Sequence, residues 1–206
     1  MIPMFSLDTA LLVIDPQQGI NDLSHWGGQR GRRNNPEAEG HIASVLALWR
    51  AARLPVIFTQ HDSRQRVSPL KINLTGGAFI AGLEPRTPES VIRKDVNSAF
   101  IGTCLELELR RRDIRRLVVL GFFTNYCVET TVRTAGNMGF DTYLIHDACA
   151  TTNQTGVDGV DHDPQLMHDI AVTNMNGEFC TALQTSDIVR LIGGDEKDIS
   201  RVQRNE

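Results

Sequence analysis

The sequence predicts an α/β fold in three layers, with helices on both faces of a six-stranded parallel sheet. Short apolar runs alternate along the chain with segments whose apolar residues recur at helical spacing. The runs lie near residues 10–14, 55–60, 90–93, 116–121, 141–146 and 179–183. Strands that alternate with helices require right-handed crossovers, which produce a parallel sheet covered on both faces. The expected architecture is therefore Rossmann-like.

Helical segments are predicted between the strands, at residues 36–53, 102–112, 127–138, 164–173 and 186–192. The first of them carries Ile42, Val45 and Trp49 on one face, and Pro55 follows it. Apolar residues at intervals of three and four indicate a helix with one buried face, and a proline just beyond it ends the helix. Pro164 suits the first turn of the fourth segment.

The length of the chain predicts one domain, over residues 1–194, followed by a polar C-terminal tail at 195–206. Two long connections interrupt the elements, at residues 24–35 and 64–89, and both are rich in residues that favour loops. Long connections in a compact domain are usually functional. We therefore expect these two connections to form the rim of a pocket.

The composition argues against several classes of partner. The 21 basic and 25 acidic residues give a formal net charge of −4, which does not indicate a nucleic-acid partner. The four cysteines lack Cys-x-x-Cys spacing, so neither a disulfide framework nor a zinc site is expected. The N-terminal residues do not resemble a signal peptide, and no apolar stretch has the length of a membrane span. We expect a cytoplasmic protein with reduced thiols that does not bind membranes.

Cys127 is the first candidate for chemistry, because it follows an apolar strand and a short turn and precedes a helical segment. A thiol at the start of a helix meets free backbone N–H groups and the positive end of the helix dipole, and both favour the thiolate. A buried structural cysteine is the alternative reading of this residue alone. The strand, turn and helix around it favour a nucleophile.

Two charged residues end other predicted strands. Asp15 follows the run 10–14, and Lys94 follows the run 90–93. Ligands of open parallel sheets bind at the carboxyl ends of the strands, so Asp15, Lys94 and Cys127 are expected to converge. A carboxylate can take the thiol proton, and an ammonium can stabilise the resulting negative charge. These three residues are the predicted catalytic set.

In its motifs the chain resembles the isochorismatase-like cysteine hydrolases, a superfamily that includes nicotinamidases and N-carbamoylsarcosine amidase. Residues 12–17 look like its first strand and catalytic aspartate, and Lys94 with the Asn-Ser-Ala-Phe run at 97–100 looks like its lysine signature. Residues 121–128 look like its G-x-x-T-x-x-C-V nucleophile turn, and Asp147 with Ala148 matches a segment after the fifth strand. The resemblance covers residues 10–192, nearly the whole chain.

The resemblance implies an amidohydrolase that cleaves a C–N bond of a small amide, carbamoyl or ureido compound through a Cys127 thioester. Asp15 would act as the base, Lys94 as the stabilising cation, and the backbone N–H groups of Phe123 and Cys127 as the oxyanion hole. It also implies a cis peptide bond between Phe122 and Phe123, and a homo-oligomer, either a dimer or a tetramer. No cofactor is implied.

Two alternatives stay open at this stage. One is hydrolysis of a vinyl ether, as in isochorismatase itself, although that activity is understood to proceed without a cysteine at the nucleophile position. The other is a catalytically silent fold that serves as an interaction module. The intact set of Asp15, Lys94 and Cys127 argues against both.

The nicotinamidase branch carries an Asp-x-His metal motif after the second strand, and this chain departs from it. His61 stands at the aspartate position and Ser63 at the histidine position, and no further histidine occurs before His146. A zinc or iron site needs several convergent ligands, so no metal is expected. The substrate-binding candidates are Gln17, Trp26, His61, Phe122 and Thr124. His168 is expected to be a hydrogen-bonded structural histidine.

Overall fold

Eight strands form within residue 2 and residues 4–192, the part of the chain that this computed structural model describes. They are β1 Thr9–Ile14, β2 Val56–His61, β3 Ser90–Lys94, β4 Arg116–Phe122, β5 Asp141–Ala150, β6 Gln154–Thr155, β7 Asp161–His162 and β8 Thr181–Leu183. Six of them make one sheet in the order β3-β2-β1-β4-β5-β8, and β6 pairs with β7 in a separate antiparallel hairpin. Every pair of neighbours in the large sheet is parallel. The predicted six-stranded parallel sheet is confirmed.

Helices flank this sheet, as the alternating pattern predicts. They are α1 Leu23–Trp26, α2 Ala38–Ala51, α3 Leu105–Arg111, α4 Glu129–Asn137, α5 Pro164–Met175 and α6 Thr185–Leu191. The face of α2 that carries Ile42, Val45 and Trp49 is buried, as its spacing predicts. Pro164 occupies the first turn of α5, where Asp163 caps the helix by accepting a hydrogen bond from the Gln165 N–H. Local signals and packing therefore agree for these helices.

The structure differs from the prediction in three places. A π-helical turn, Thr124–Val128, precedes α4, so the helix predicted to begin at Cys127 begins two residues later. The connection predicted over 24–35 overlaps α1, which begins at Leu23. Strand β5 extends beyond the predicted strand to Ala150, and the hairpin of β6 and β7 follows it. Strands of two residues have no periodic pattern to detect. The predicted tail at 195–206 lies outside the described residues.

The centre of the sheet is the core, and it places the carboxyl ends of four neighbouring strands side by side. All six residues of β1 are buried, and β2 and β4 pair with it on either side. Gly121 lets the end of β4 lie close to β1: its φ is +122°, and a Cβ there would come within 2.2 Å of the Ile14 carbonyl oxygen. Only glycine fits such a position.

Among the described helices, none combines the length and apolar character needed to cross a membrane.

Candidate functional site

Four side chains from separate segments meet at this edge of the sheet. Lys94 ends β3, His61 ends β2, Asp15 follows β1, and Cys127 lies in the π-helical turn after β4. Because β3, β2, β1 and β4 are neighbours in that order, residues far apart in sequence become adjacent. The predicted convergence of Asp15, Lys94 and Cys127 is present, and His61 joins it.

Asp15 and Lys94 form a buried ion pair in which Nζ lies 2.7 Å from Oδ2, and their side chains are 1% and 0% exposed. Asp15 has a φ of +48°, a conformation that turns the chain sharply at the end of β1. Thr59 fixes the other side of the carboxylate: its hydroxyl donates to Oδ1 and accepts from the Asp15 N–H at 3.0 Å. A buried charge needs both a counter-ion and hydrogen bonds, and this carboxylate has both.

Lys94 is held by more than Asp15. Its ammonium lies 2.9 Å from Nδ1 of His61 and donates to the Val96 carbonyl at 3.2 Å. Burial by itself would lower the pKa of Lys94, but the Asp15 carboxylate and the Cys127 sulfur more than offset this, so the pKa is raised. The lysine is therefore a fixed positive charge at neutral pH.

The Cys127 thiol is buried beside this ion pair. Its sulfur lies 3.8 Å from Nδ1 of His61 and 3.8 Å from Oδ1 of Asn97. Burial raises the pKa of the thiol, the Asp15 charge raises it further, and the Lys94 charge opposes both. Burial thus opposes the effect of the helix start, which favours the thiolate. A base next to the thiol is therefore needed to activate it, and Asp15 is the candidate.

His61 is neutral in this arrangement. Burial lowers its pKa, and the Lys94 charge lowers it too, while Asp15 acts in the opposite direction. A neutral imidazole can accept a hydrogen bond from the ammonium through Nδ1. The backbone of His61 is also fixed, because the Gln17 side chain accepts from its N–H at 2.7 Å and donates to its carbonyl at 3.0 Å.

A cavity of about 290 Å³ opens over Cys127. Its wall consists of Trp26, His61, Ser63, Gln65, Leu70, Asn97, Phe123, Tyr126, Cys127 and Gln154. Trp26, Gln65 and Leu70 belong to the two long connections that the sequence predicts as a pocket rim. The Trp26 ring packs edge-on against Phe123 with centroids 5.1 Å apart, and its Nε1 donates to the Gly19 carbonyl.

Three of the substrate-binding candidates do not line this cavity, which corrects the prediction. Gln17 is fully buried behind His61, and its amide is used by the His61 backbone and the Gly77 carbonyl. Phe122 is buried, with the Arg33 guanidinium 5.6 Å from its ring centroid. Thr124 is fully buried, and its hydroxyl forms a hydrogen bond with Nδ1 of His168 at 2.9 Å. Each lies next to the site in sequence but points into the core.

The turn that carries Cys127 has the expected backbone. The Phe122–Phe123 peptide bond is cis. The Phe123 carbonyl accepts from the N–H groups of Tyr126 and Val128, which orients the π-helical turn. His168, buried on α5 and bonded to Thr124, supports the same turn from behind, in keeping with a structural histidine.

Asp15, His61 and Cys127 are also the kind of side chains that could hold a metal ion. One donor atom from each lies within 4.8 Å of the other two. The Lys94 ammonium, however, already contacts the carboxylate at 2.7 Å and the imidazole at 2.9 Å. A metal cation in this cluster would have to displace a buried ammonium that neutralises the same carboxylate. The donor set therefore fits a lysine-centred site better than a metal centre.

Comparison with known proteins shows the family. A sequence model of the isochorismatase domain matches residues 9–187. The isochorismatase family protein YrdC of Bacillus subtilis is 38% identical over 180 residues, covering 87% of this chain and 94% of that protein. The chain belongs to the isochorismatase family.

A solved structure and a second relative support this assignment. The crystal structure of an isochorismatase-family protein from Chromobacterium violaceum aligns with a TM-score of 0.86 and 42% identity, over 94% of this chain and 98% of that one. A ureidoacrylate amidohydrolase of Variovorax paradoxus is 28% identical over 71% of this chain and 70% of its own length. The isochorismatase-like α/β fold that the sequence predicts is thus confirmed.

Proposed function

We propose that this isochorismatase-family cysteine hydrolase cleaves the C–N bond of a small amide, carbamoyl or ureido compound through a thioester on Cys127. The observation that carries the proposal is the buried pair of Asp15 and Lys94 beside the buried Cys127 thiol, which lines a cavity. A carboxylate, an ammonium and a thiol in contact form a nucleophile with its base and its counter-ion.

The first half of the reaction uses Asp15 as a base and then as an acid. The Asp15 carboxylate takes the thiol proton as the sulfur bonds to the substrate carbonyl carbon. The C–N bond then breaks, and the proton passes from Asp15 to the leaving nitrogen, which departs as ammonia or an amine. Lys94 stays protonated and offsets the negative charge on sulfur and carboxylate. Backbone N–H groups of Phe123 and Cys127 are the proposed donors to the carbonyl oxygen as it becomes negative.

The second half restores the enzyme. Water attacks the thioester carbonyl and gives a proton to Asp15. The S–C bond breaks, the acid product leaves, and the proton returns to the sulfur of Cys127. Because the same carboxylate serves both halves, its position between Lys94 and the thiol is the feature on which turnover depends.

Similarity adds support for C–N bond cleavage. The ureidoacrylate amidohydrolase of Variovorax paradoxus is an amidohydrolase by name, and it aligns with 71% of this chain. A protein that acts on a vinyl ether would need an acid for the ether oxygen rather than a thiol for an acyl carbon. The thiol at the base of the cavity favours acyl transfer.

The test is release of ammonia or amine from a panel of small amides, carbamates and ureas, together with mass spectrometry of the intact protein after rapid acid quench. We expect at least one compound to be hydrolysed and its acyl group to be found on Cys127. Turnover by the wild type without any acyl adduct, together with wild-type turnover by a Cys127→Ala variant, would contradict the thioester. Hydrolysis of a vinyl ether but of no amide or urea would contradict C–N cleavage.

A further inference from the structure

Resting on the proposed function, we propose that the cavity over Cys127 selects uncharged amides that carry a flat apolar group, and that it rejects carboxylates. The proposal narrows the substrate class from any small amide to a neutral one. Two observations support the proposal. The side chains of the cavity wall carry no formal charge, and the polar atoms of its aromatic residues already have hydrogen-bond partners.

The wall contains no formally charged side chain. None of its ten residues is an arginine, lysine, aspartate or glutamate. Ser63, Gln65, Asn97 and Gln154 supply its neutral polar groups, and His61 is neutral because burial lowers its pKa. The wall offers hydrogen bonds to a substrate without offering it a counter-ion.

Three cations beside residues of the cavity wall already have partners. Lys94, beneath the cavity, is paired with Asp15 at 2.7 Å. Arg64, next in sequence to Gln65, is paired with Asp95 at 2.8 Å, and Lys71 donates to the Ser63 carbonyl at 2.8 Å. A substrate carboxylate in this cavity would lose water without gaining a partner of opposite charge, and burying an unpaired charge is strongly unfavourable.

The apolar side of the cavity is formed by three aromatic rings and Leu70, and the polar atoms of the rings already have hydrogen-bond partners. Trp26 uses its N–H on the Gly19 carbonyl at 2.7 Å, and Tyr126 donates its hydroxyl to Gln154 at 2.7 Å. Phe123 packs edge-on against Trp26, and Leu70 is buried beside the same space. Aromatic faces favour a flat apolar group between them.

The inference separates this chain from one of its relatives. Ureidoacrylate, which names the Variovorax paradoxus enzyme, is a carboxylate. We expect it to be a poor substrate here compared with an uncharged ureide of the same size. The two proteins would then share the chemistry of the nucleophile and differ in the charge their cavities accept.

Two alkylating agents of almost the same shape test the inference before any substrate is known. Iodoacetamide is neutral and iodoacetate is anionic. Each forms an S–CH2 bond with Cys127 and loses iodide, while the thiol proton passes to Asp15. The rate of Cys127 labelling by each is measured by peptide mass spectrometry at pH 7.5. The rate with iodoacetamide is divided by the rate with iodoacetate. This ratio is then normalised by the same ratio for a free, uncharged thiol such as N-acetylcysteine amide, which corrects for the different intrinsic reactivities of the two agents.

We expect Cys127 to prefer the amide at least tenfold more strongly than the free thiol does. A normalised ratio near one, or a preference for iodoacetate, would overturn this inference while leaving the nucleophile in place. Failure of both agents to label Cys127 ahead of the exposed Cys104 would instead contradict the proposed function. The two failures are therefore distinguishable.

A charge variant tests the cause. Gln65 is exposed at the cavity wall, and its side chain can be changed without disturbing the core. We expect Gln65→Arg to raise the rate of labelling by iodoacetate, relative to the rate of labelling by iodoacetamide, about tenfold or more. The matched control is Asn174→Arg, which adds the same charge at an exposed position near the C-terminal end of α5 that is not part of the cavity wall. Equal effects of the two variants, or none from Gln65→Arg, would overturn the charge explanation.

Discussion

His61 and Lys94 are register partners at the ends of β2 and β3, and the imidazole Nδ1 lies 2.9 Å from the lysine Nζ. The same nitrogen lies 3.8 Å from the Cys127 sulfur and 3.8 Å from Asp15 Oδ2. A neutral imidazole in this position accepts a hydrogen bond from Lys94 and holds the ammonium toward both the carboxylate and the thiol. His61 is therefore best understood as a positioning residue for Lys94.

Replacing His61 tests this role with two variants. Asparagine can keep an acceptor near the position of Nδ1, whereas leucine cannot. We expect His61→Leu to lower kcat/KM roughly ten- to a hundredfold, because a hydrogen bond to a charged group contributes about 1.5–3 kcal/mol. His61→Asn should lose clearly less. The readouts are kcat/KM and the rate at which iodoacetamide labels Cys127, and equal activity of the leucine variant and the wild type would contradict the role.

Removing the nucleophile or the base should abolish turnover without unfolding the protein. We expect Cys127→Ala and Asp15→Asn each to lose activity by several orders of magnitude, because the members of a catalytic set act as a unit. Cys104→Ala, a change at an exposed thiol, is the matched control and should keep full activity. If Cys127→Ala stays within about tenfold of the wild type, a loss of only ~1.4 kcal/mol, covalent catalysis is ruled out.

Much of this site could be predicted because each member ends a strand or follows one. Asp15, Lys94 and Cys127 combine a reactive side chain with an apolar run just before it, and parallel strands bring such ends together. The pairing of His61 with Lys94 follows the same rule, since His61 ends the strand next to β3. The sequence pattern alone predicts a pocket residue there, because the strand order that places β2 next to β3 is a property of the fold.

Other features depend on tertiary contacts that no local pattern shows. Thr59 reads as an ordinary strand residue, yet its hydroxyl binds the Asp15 carboxylate. Gln17, a candidate for substrate binding from its sequence, instead binds the backbone of His61, 44 residues away. The pKa of the Cys127 thiol is raised chiefly by burial, to which segments from the whole chain contribute, and no local pattern shows this.

Lys94 should matter to stability as well as to activity. We expect Lys94→Met to lower the free energy of unfolding by about 3–5 kcal/mol, because it leaves the Asp15 carboxylate buried without its counter-ion. Adding Asp15→Asn to that variant should restore part of the loss, since the uncompensated charge is then gone. Urea denaturation of the two single variants and the double variant measures the coupling. Additive losses would show that the ion pair is not a stabilising unit.

Metal removal should leave the activity intact. The Lys94 ammonium contacts Asp15 and His61, two of the three residues whose side chains could ligate a metal cation. We expect exhaustive dialysis against EDTA to change kcat/KM by less than about twofold, because no step proposed above uses a Lewis acid. Activity lost to the chelator and restored by zinc or manganese would assign Asp15, His61 and Cys127 to a metal site instead.

His168 should make the stability of the protein depend on pH. Burial, helped by the charge of His146, lowers the pKa of His168 to about 4 from an ordinary value of 6.5. The unfolded chain therefore binds a proton at this residue below pH 6.5, while the folded protein resists it until about pH 4. Proton uptake by the unfolded state lowers the free energy of unfolding as the pH falls through that window, by up to ~3 kcal/mol.

The variant His168→Gln isolates this contribution, because glutamine can still form a hydrogen bond with the Thr124 hydroxyl but does not titrate. We expect the wild type to lose stability more steeply than His168→Gln between pH 6.5 and pH 4, and the difference between their free energies of unfolding to be constant above pH 7. His61, whose pKa is lowered in the same direction, contributes equally to both proteins and cancels in the comparison. Urea denaturation at a series of pH values gives the two curves, and parallel curves through the acid range would show that His168 is not held neutral by the fold.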